Sequence, residues 1–491
     1  MRREAIVIGS GVGGLASAIR LAKLGFKVKV FEKNDFLGGK VHSRTFGGYR
    51  FDIGPSVFTE PHLIDELHKL VDTPTSFRYI HLKESFRYFF NDGKKAILTS
   101  GIEDVVASFA EEFNENPKKV RKLLHRVAKN YDALYPVFIT TSLHRFRHGI
   151  KPELVKAIVR IPFYGLLTTM DGFVKRFLKD EKSIQIFNRF STYNGSSPFK
   201  TPGLLSIISH LELNAGIYFP VGGMVSITEG LVQTAKKLGV AFYCEDAVQE
   251  IIVENDKVVG VQSHSGKYSA DLVVSNMDVH FTYERLLGER FSPNRLLNQE
   301  MSSSAVVFYW GIKKQFDTLG LHNIFFTSDY KQEFKAIFED KTLVDDPTVY
   351  IHISSKIEKS DATEGGENWF VMVNAPINTD QNWDELVHKL RKNILRKISR
   401  ILEIDVEEYI EAEYINDPVK LATVFNGKGG SIYGNSSNSK WSAFYRHPNQ
   451  APKLKNLYFA GVTVHPGGGI PLALNAAKIV ERMVKEDFNF S

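Results

Sequence analysis

Residues 5–8, Ala-Ile-Val-Ile, form an unbroken apolar, mostly β-branched run. Such a run predicts a strand buried on both faces of a parallel sheet. Leu15, Ile19 and Leu24 then mark a helix that stops near Gly25, and residues 28–31 predict a second strand ending at Glu32. Further strands are predicted at 240–243, 248–253, 258–262 and 271–274, with Asn255-Asp256 turning the chain between two of them. Residues 304–312, 346–353 and 369–373 read as strands of a second sheet. Asn91-Asp92-Gly93 closes a hairpin between 86–90 and 96–98, assigned to that same sheet. A last strand at 457–460 precedes an amphipathic helix from Leu472 to about Val484. The pattern is that of an α/β protein.

Composition narrows this picture only modestly. A chain of 491 residues predicts two or three domains. Hydrophobic content of 43% and charged content of 24% exclude long disorder. A net charge of +6 is too weak to argue for nucleic acid, but it suits an acidic membrane surface. Cys244 is the sole cysteine, which excludes an intrachain disulfide and a cysteine metal cluster and fits a reducing cytoplasm. No metal site is expected. The run at 5–8 is too short for the core of a signal peptide, and no apolar run reaches the ~20 residues of a spanning helix. The expectation is a protein not integral to a membrane.

The chemistry begins at the first turn. Gly9, Gly11 and Gly14 follow the first strand at G-x-G-x-x-G spacing. In such a loop the first glycine permits the tight turn, the second admits a pyrophosphate and the third lets helix and strand pack closely. The helix amides and dipole favour the phosphate charge. Glu32, about 20 residues on, is the acid for adenosine ribose hydroxyls, and its charge disfavours a 2′-phosphate. These features predict a dinucleotide and leave nicotinamide and flavin open.

Other segments carry a family resemblance. Gly38-Gly39-Lys40 resembles the Gly-Gly-Arg segment of flavoproteins in the amine oxidase, carotenoid desaturase and GDP-dissociation inhibitor superfamily, with lysine for arginine. Phe51-Asp52-Ile53-Gly54-Pro55 resembles the desaturase segment that passes beside the flavin ring. Tyr218 to Met224 resembles the Phe-Pro-x-Gly-Gly-Met element, and 273–278 the Val-Val-x-Asn-Ala-Asp element. Tyr445-Arg446-His447-Pro448-Asn449 resembles Phe-Arg-Pro-x-Asn with His447 inserted. The most specific likeness is His465-Pro466-Gly467-Gly468-Gly469-Ile470-Pro471, similar to the desaturase bend His-Pro-Gly-x-Gly-Ile-Pro. His465 is read there as fixing the bend through a backbone hydrogen bond.

The resemblance covers nearly the whole chain and implies a Rossmann-like FAD-binding domain of the GDP-dissociation inhibitor/amine oxidase type. That domain is assigned to 1–75, 216–280 and 452–491. It implies a mixed-sheet substrate domain at 76–100 and 281–451, and a helical, membrane-facing subdomain at 101–215. The implied cofactor is FAD, held by Gly9, Gly11, Val12, Gly14, Glu32, Gly38, Gly39, Lys40, Gly54, Pro55, Ser56, Val57, Val248 (beside the adenine), Asn276, Gly461, Gly468, Gly469, Ile470 and Pro471.

The implied activity is carotenoid desaturation. Residues 48–59, with Gly-Pro-Ser-Val-Phe-Thr at their end, resemble the hydroxycarotenoid 3,4-desaturase branch more than the phytoene enzymes. A phytoene or multi-step carotene desaturase is the alternative. A flavin amine oxidase and a non-enzymatic prenyl-protein chaperone are the readings from other classes. Tyr193, Phe308, Tyr309, Phe325 and Phe326 are tunnel candidates, and Glu153 a candidate base. Residues 143–179 carry eight Lys and Arg against Glu153 and Asp171, with Tyr164, Leu166, Leu167, Phe173 and Phe177 interleaved. This predicts peripheral binding to the inner face of the cell membrane, from which a carotenoid would enter. The electron acceptor and the oligomeric state are left open.

Overall fold

The computed structural model describes residues 3–72, 76–142, 164–440, 442 and 445–490. Its first layer is a five-stranded parallel sheet, ordered Leu457–Phe459, Leu272–Ser275, Glu4–Ile8, Lys27–Phe31, Ala241–Tyr243. Strand alternation divides the side chains of the central strand. Ala5 and Val7 pack with the helices Val12–Lys23, Val225–Lys237 and Ile470–Asp487. Ile6 and Ile8 pack against a three-stranded antiparallel sheet, Val248–Glu254, Lys257–Ser263 and Gly266–Ser269. Both faces are therefore apolar, as the sequence pattern predicts. Val7, Ile6 and Ile8 each contribute roughly 1.5–3 kcal/mol by burial.

The sheet joins the start, middle and end of the chain. Arg20, buried on the first helix, ties two further helices to it through Glu66 (2.9 Å) and Glu481 (2.8 Å).

The second layer is a seven-stranded mixed sheet, ordered Ile410–Asn416, Ser304–Ile312, Glu367–Ala375, Val349–His352, His322–Phe325, Glu84–Phe89, Lys95–Thr99. The predicted hairpin supplies its last two strands, paired antiparallel. Alternation again sorts the faces. Val307, Tyr309 and Phe370 point inward, while Phe308, Trp310 and Trp369 pack outward with the helix Trp383–Leu402. Over the inner face lie the helices Ile102–Phe113 and Pro117–Leu134 and several short turns between Met170 and Asn214. Asn116 caps the second of these helices through the amides of Lys118 (3.0 Å) and Lys119 (3.3 Å).

Asp52 joins the layers. Buried at the end of the short strand Tyr49–Asp52, it accepts from the amides of Met224 (2.8 Å) and Val225 (3.2 Å), where the helix Val225–Lys237 begins. Arg50 pairs with Asp52 and, at 2.6 Å, with Asp361, which lies between the strands Val349–His352 and Glu367–Ala375 of the mixed sheet.

Candidate active site

A continuous cavity of about 1000 Å³ runs from the carboxyl ends of the parallel strands to the inner face of the mixed sheet. At one end lie Gly9, Gly11 and Val12, Glu32, and Val248. Glu32 is held from four sides. Ser10 donates to Oε2 through its amide (2.9 Å) and its hydroxyl (2.7 Å). Asn34 donates to Oε1 through its amide (3.1 Å) and Nδ2 (3.0 Å). Gly14 does not line the cavity. A Cβ there would run into the Gly9 carbonyl, so its role is the close packing of helix on strand.

The middle of the cavity is lined by Gly38, Gly39, Lys40, Gly54, Pro55, Ser56 and Val57, opposite Gly461, Gly468, Gly469, Ile470 and Pro471. Gly461 has φ +125, and a Cβ on it would stand 2.6 Å from Asn276 Nδ2. Asn276 thus wedges between the first and last pieces of the site, donating to the Ala460 carbonyl at 2.9 Å. The helix Ile470–Asp487 aims its first turn into the cavity. His465 is buried. Its Nε2 donates to the Thr141 carbonyl (2.9 Å), and its own carbonyl accepts from Asn449 Nδ2 (2.7 Å). Arg446 donates to the carbonyls of Tyr433, Val462 and Asn435 at 3.0–3.3 Å, and burial pulls its pKa down to about 10. Lys40 Nζ donates to the Ile432 carbonyl (3.1 Å), and burial lowers its pKa against the opposing charge of Asp278.

These residues fit a flavin dinucleotide. The cradle is backbone wherever a planar ring and two phosphates need close approach. A preoriented carboxylate stands at one end and a helix N-terminus at the other.

Beyond the cradle the walls are apolar: Leu204, Leu205, Ile208, Val307, Ile324 and Phe370 among others. Of the five aromatic tunnel candidates only Tyr193 lines the cavity. Phe308 and Phe325 belong to the outward face of the mixed sheet. Tyr309 points inward but is buried, its hydroxyl donating to the Ile53 carbonyl at 2.8 Å. Phe326 is buried between Tyr88 and Phe90. Glu153 lies outside the described residues. From the basic stretch, Tyr164, Leu166 and Phe173 are buried inside the protein, while Leu167 is 68% exposed.

Three features of the wall carry no sequence motif. Glu60 lines the cavity and accepts from Tyr131 Oη at 2.6 Å, and burial raises its pKa. Ser56 Oγ meets Tyr350 Oη at 2.8 Å, which in turn meets His322 Nδ1 at 2.8 Å. Burial holds His322 well below its usual pKa, so the ring is neutral. Arg189 and Glu212 form a buried ion pair at 2.6 Å.

Residues 12–480 match the model of the flavin-containing amine oxidoreductase family, and the chain belongs to that family. It is a flavoprotein oxidoreductase with FAD as its cofactor. It is 48% identical over 98% of its length, and 99% of the relative's, to the 1-hydroxycarotenoid 3,4-desaturase of Flavobacterium sp. (strain P99-3). It is 32% identical to the phytoene desaturase of Neurospora crassa, covering 99% of this chain and 85% of that one. Among solved structures, cyclohexylamine oxidase from Brevibacterium oxydans matches with TM-score 0.63 and 13% identity over the full length of both chains, a likeness of fold.

Proposed function

We propose that the protein is an FAD-dependent carotenoid desaturase, acting on the C3–C4 bond of a 1-hydroxycarotenoid. The observation that carries this reading is the single cavity in which a dinucleotide cradle opens onto a long apolar extension. Such a space suits a polyene, while the near full-length likeness to a 1-hydroxycarotenoid 3,4-desaturase favours the hydroxylated substrate over phytoene. Glu32, locked by four donors, suits a retained dinucleotide and disfavours a cofactor-free chaperone.

We assign the adenosine ribose to Glu32 and the adenine to the wall at Val248. The flavin ring is assigned to the space between 54–57 and 468–471. Bound FAD supplies the acceptor for a hydride leaving one carbon of the substrate. A proton must leave the neighbouring carbon as the double bond forms. Glu60 is the carboxylate assigned to take it. Glu32 is engaged by Ser10 and Asn34, and Asp278 accepts from His280 and Lys428, whereas Glu60 accepts from Tyr131 at the cavity wall. The apolar walls exclude water and fix the polyene relative to the cradle.

The test is incubation of the FAD-loaded protein with a 1-hydroxycarotenoid and an electron acceptor. One added conjugated double bond moves the absorption bands to longer wavelength. Unchanged bands, with no new product on chromatography, overturn the reading.

The same reading places the protein on the inner face of the cell membrane, because its substrate dissolves in the bilayer. Exposed Leu167 beside buried, cavity-lining Tyr164 and Leu166 supports entry near this segment. Among the described residues no helix is long and apolar enough to cross a membrane. Flotation with anionic vesicles at low salt tests this, and a protein left at the bottom of the gradient counts against it.

A further inference from the structure

Besides the Glu60–Tyr131 and Ser56–Tyr350 pairs, a buried ion pair interrupts the apolar extension of the cavity. Arg189 and Glu212 are almost fully enclosed, with side chains 6% and 2% exposed. Glu212 also accepts from Tyr193 Oη at 2.6 Å, and Arg189 donates to Tyr88 Oη at 3.1 Å. The guanidinium lies 4.3 Å from the centre of the Phe86 ring. Arg189, Tyr193 and Tyr330 face the cavity, while Glu212 and Tyr88 stand behind them.

Stability does not account for this cluster. A buried ion pair is often no better than well-packed apolar side chains of the same volume. Two donors are moreover unspent: Arg189 Nε and Tyr330 Oη have no hydrogen-bond partner. Leaving such groups unpaired is destabilising. Burial keeps the Tyr330 hydroxyl protonated, so it is both a donor and an acceptor.

The arrangement selects the chemistry of its ligand. The pair is neutral overall, so it favours an uncharged group over a carboxylate or an amine. The surrounding wall is apolar, so that group must be the isolated polar point of a hydrocarbon. The position also constrains it. Phe86, which lies under Arg189, also stacks on His322, whose Nδ1 partner Tyr350 bonds Ser56 of the stretch assigned to the flavin ring. In a 1-hydroxycarotenoid the hydroxyl is only two carbon–carbon bonds from C3. Recognition of the hydroxyl and oxidation at C3–C4 must therefore occur side by side.

We propose that Arg189, Tyr193 and Tyr330, which face the cavity together, form a subsite for the tertiary hydroxyl of the substrate. This rests on the desaturase reading above and adds the residues that set its substrate preference. A site built to hydrogen-bond a hydroxyl rejects the analogue that lacks it.

The experiment compares two C40 carotenes with the same polyene, one carrying the 1-hydroxyl and one not, on the FAD-loaded protein. Turnover is measured as kcat/KM, and affinity by quenching of tryptophan fluorescence. The wild type is expected to favour the hydroxylated carotene by about 100-fold or more in both measurements. Tyr330→Phe is expected to reduce that ratio about tenfold, the loss falling on the hydroxylated substrate. Arg189→Met combined with Glu212→Leu, which keeps the site neutral and filled, is expected to bring the ratio near one. If the double variant does not fold, Tyr330→Phe decides alone. Equal use of both carotenes by the wild type, or an unchanged ratio in Tyr330→Phe, overturns the subsite and leaves the desaturase reading standing. Failure to bind or convert either carotene overturns both.

Discussion

Ser10 holds Glu32 with two hydrogen bonds to the same carboxylate oxygen, one from its amide at 2.9 Å and one from its hydroxyl at 2.7 Å. The hydroxyl oxygen also accepts from the Gly38 amide at 3.2 Å. One side chain therefore ties the glycine loop, the proposed ribose acid and the Gly38-Gly39 turn together. Ser10→Ala is expected to weaken FAD binding about tenfold, and Glu32→Ala by on the order of 100-fold. Titration of apoprotein by recovery of flavin fluorescence quenching measures both. Wild-type affinity in Glu32→Ala would remove the ribose assignment.

Asp52 accepts from two amides at the start of Val225–Lys237 while paired with Arg50. Asn in its place keeps the shape, but it loses the charge and presents one acceptor oxygen where two are used. Asp52→Asn is expected to lower stability by about 2 kcal/mol. The urea midpoint should fall with the slope of the transition unchanged, and a midpoint equal to wild type contradicts the anchoring role.

Glu60 is assigned the departing proton, and burial raises its pKa. It must be ionised to act, so kcat/KM should rise with pH as this carboxyl loses its proton, along a limb displaced upward from the usual carboxylate range. Glu60→Gln is expected to lower kcat on the order of 100-fold, to abolish that limb and to leave FAD affinity unaltered. Retention of the limb in the variant would assign it to another group.

Glu333 makes stability depend on pH. Its carboxyl is buried against the amide and hydroxyl of Thr348 (3.0 and 2.7 Å), and burial pushes its pKa up to about 7 from 4.5. A raised acid stabilises the fold below its unfolded pKa, and this contribution is lost as pH rises through the folded value. The loss between pH 5 and 8 is on the order of 3 kcal/mol. Buried His322 and His352, with lowered pKa values, act in the opposite sense below pH 6.5. The difference between the urea-unfolding profiles of wild type and Glu333→Gln isolates the carboxyl. Parallel profiles would show that it does not titrate in this range.

The cradle was legible because its chemistry is local. Gly9 to Glu32 and Gly467 to Pro471 state their geometry within a few residues, and the structure brings both to one cavity. The wall of the extension was not legible, because its partners are distant: Glu60 meets Tyr131, and Arg189 meets Glu212 across a series of short turns. No spacing marks such pairs. Phe308 and Phe325 failed as tunnel residues for a different reason. Strand alternation shows that neighbours face opposite ways, but not which face is covered by Trp383–Leu402. The edge strand Ile410–Asn416 escaped prediction because Glu411 and Glu413 break its apolar run at a half-exposed edge.

The parallel sheet takes its strands from residues 4–31, 241–275 and 457–459. During synthesis the glycine loop leaves the ribosome about 450 residues before the bend at Gly468 and the helix it starts. Between those two points the nascent chain carries an incomplete cofactor site and an uncovered sheet edge. At about 5–20 residues per second, that interval lasts on the order of a minute. A complete cofactor cradle therefore exists only once all three pieces of the sheet have been made.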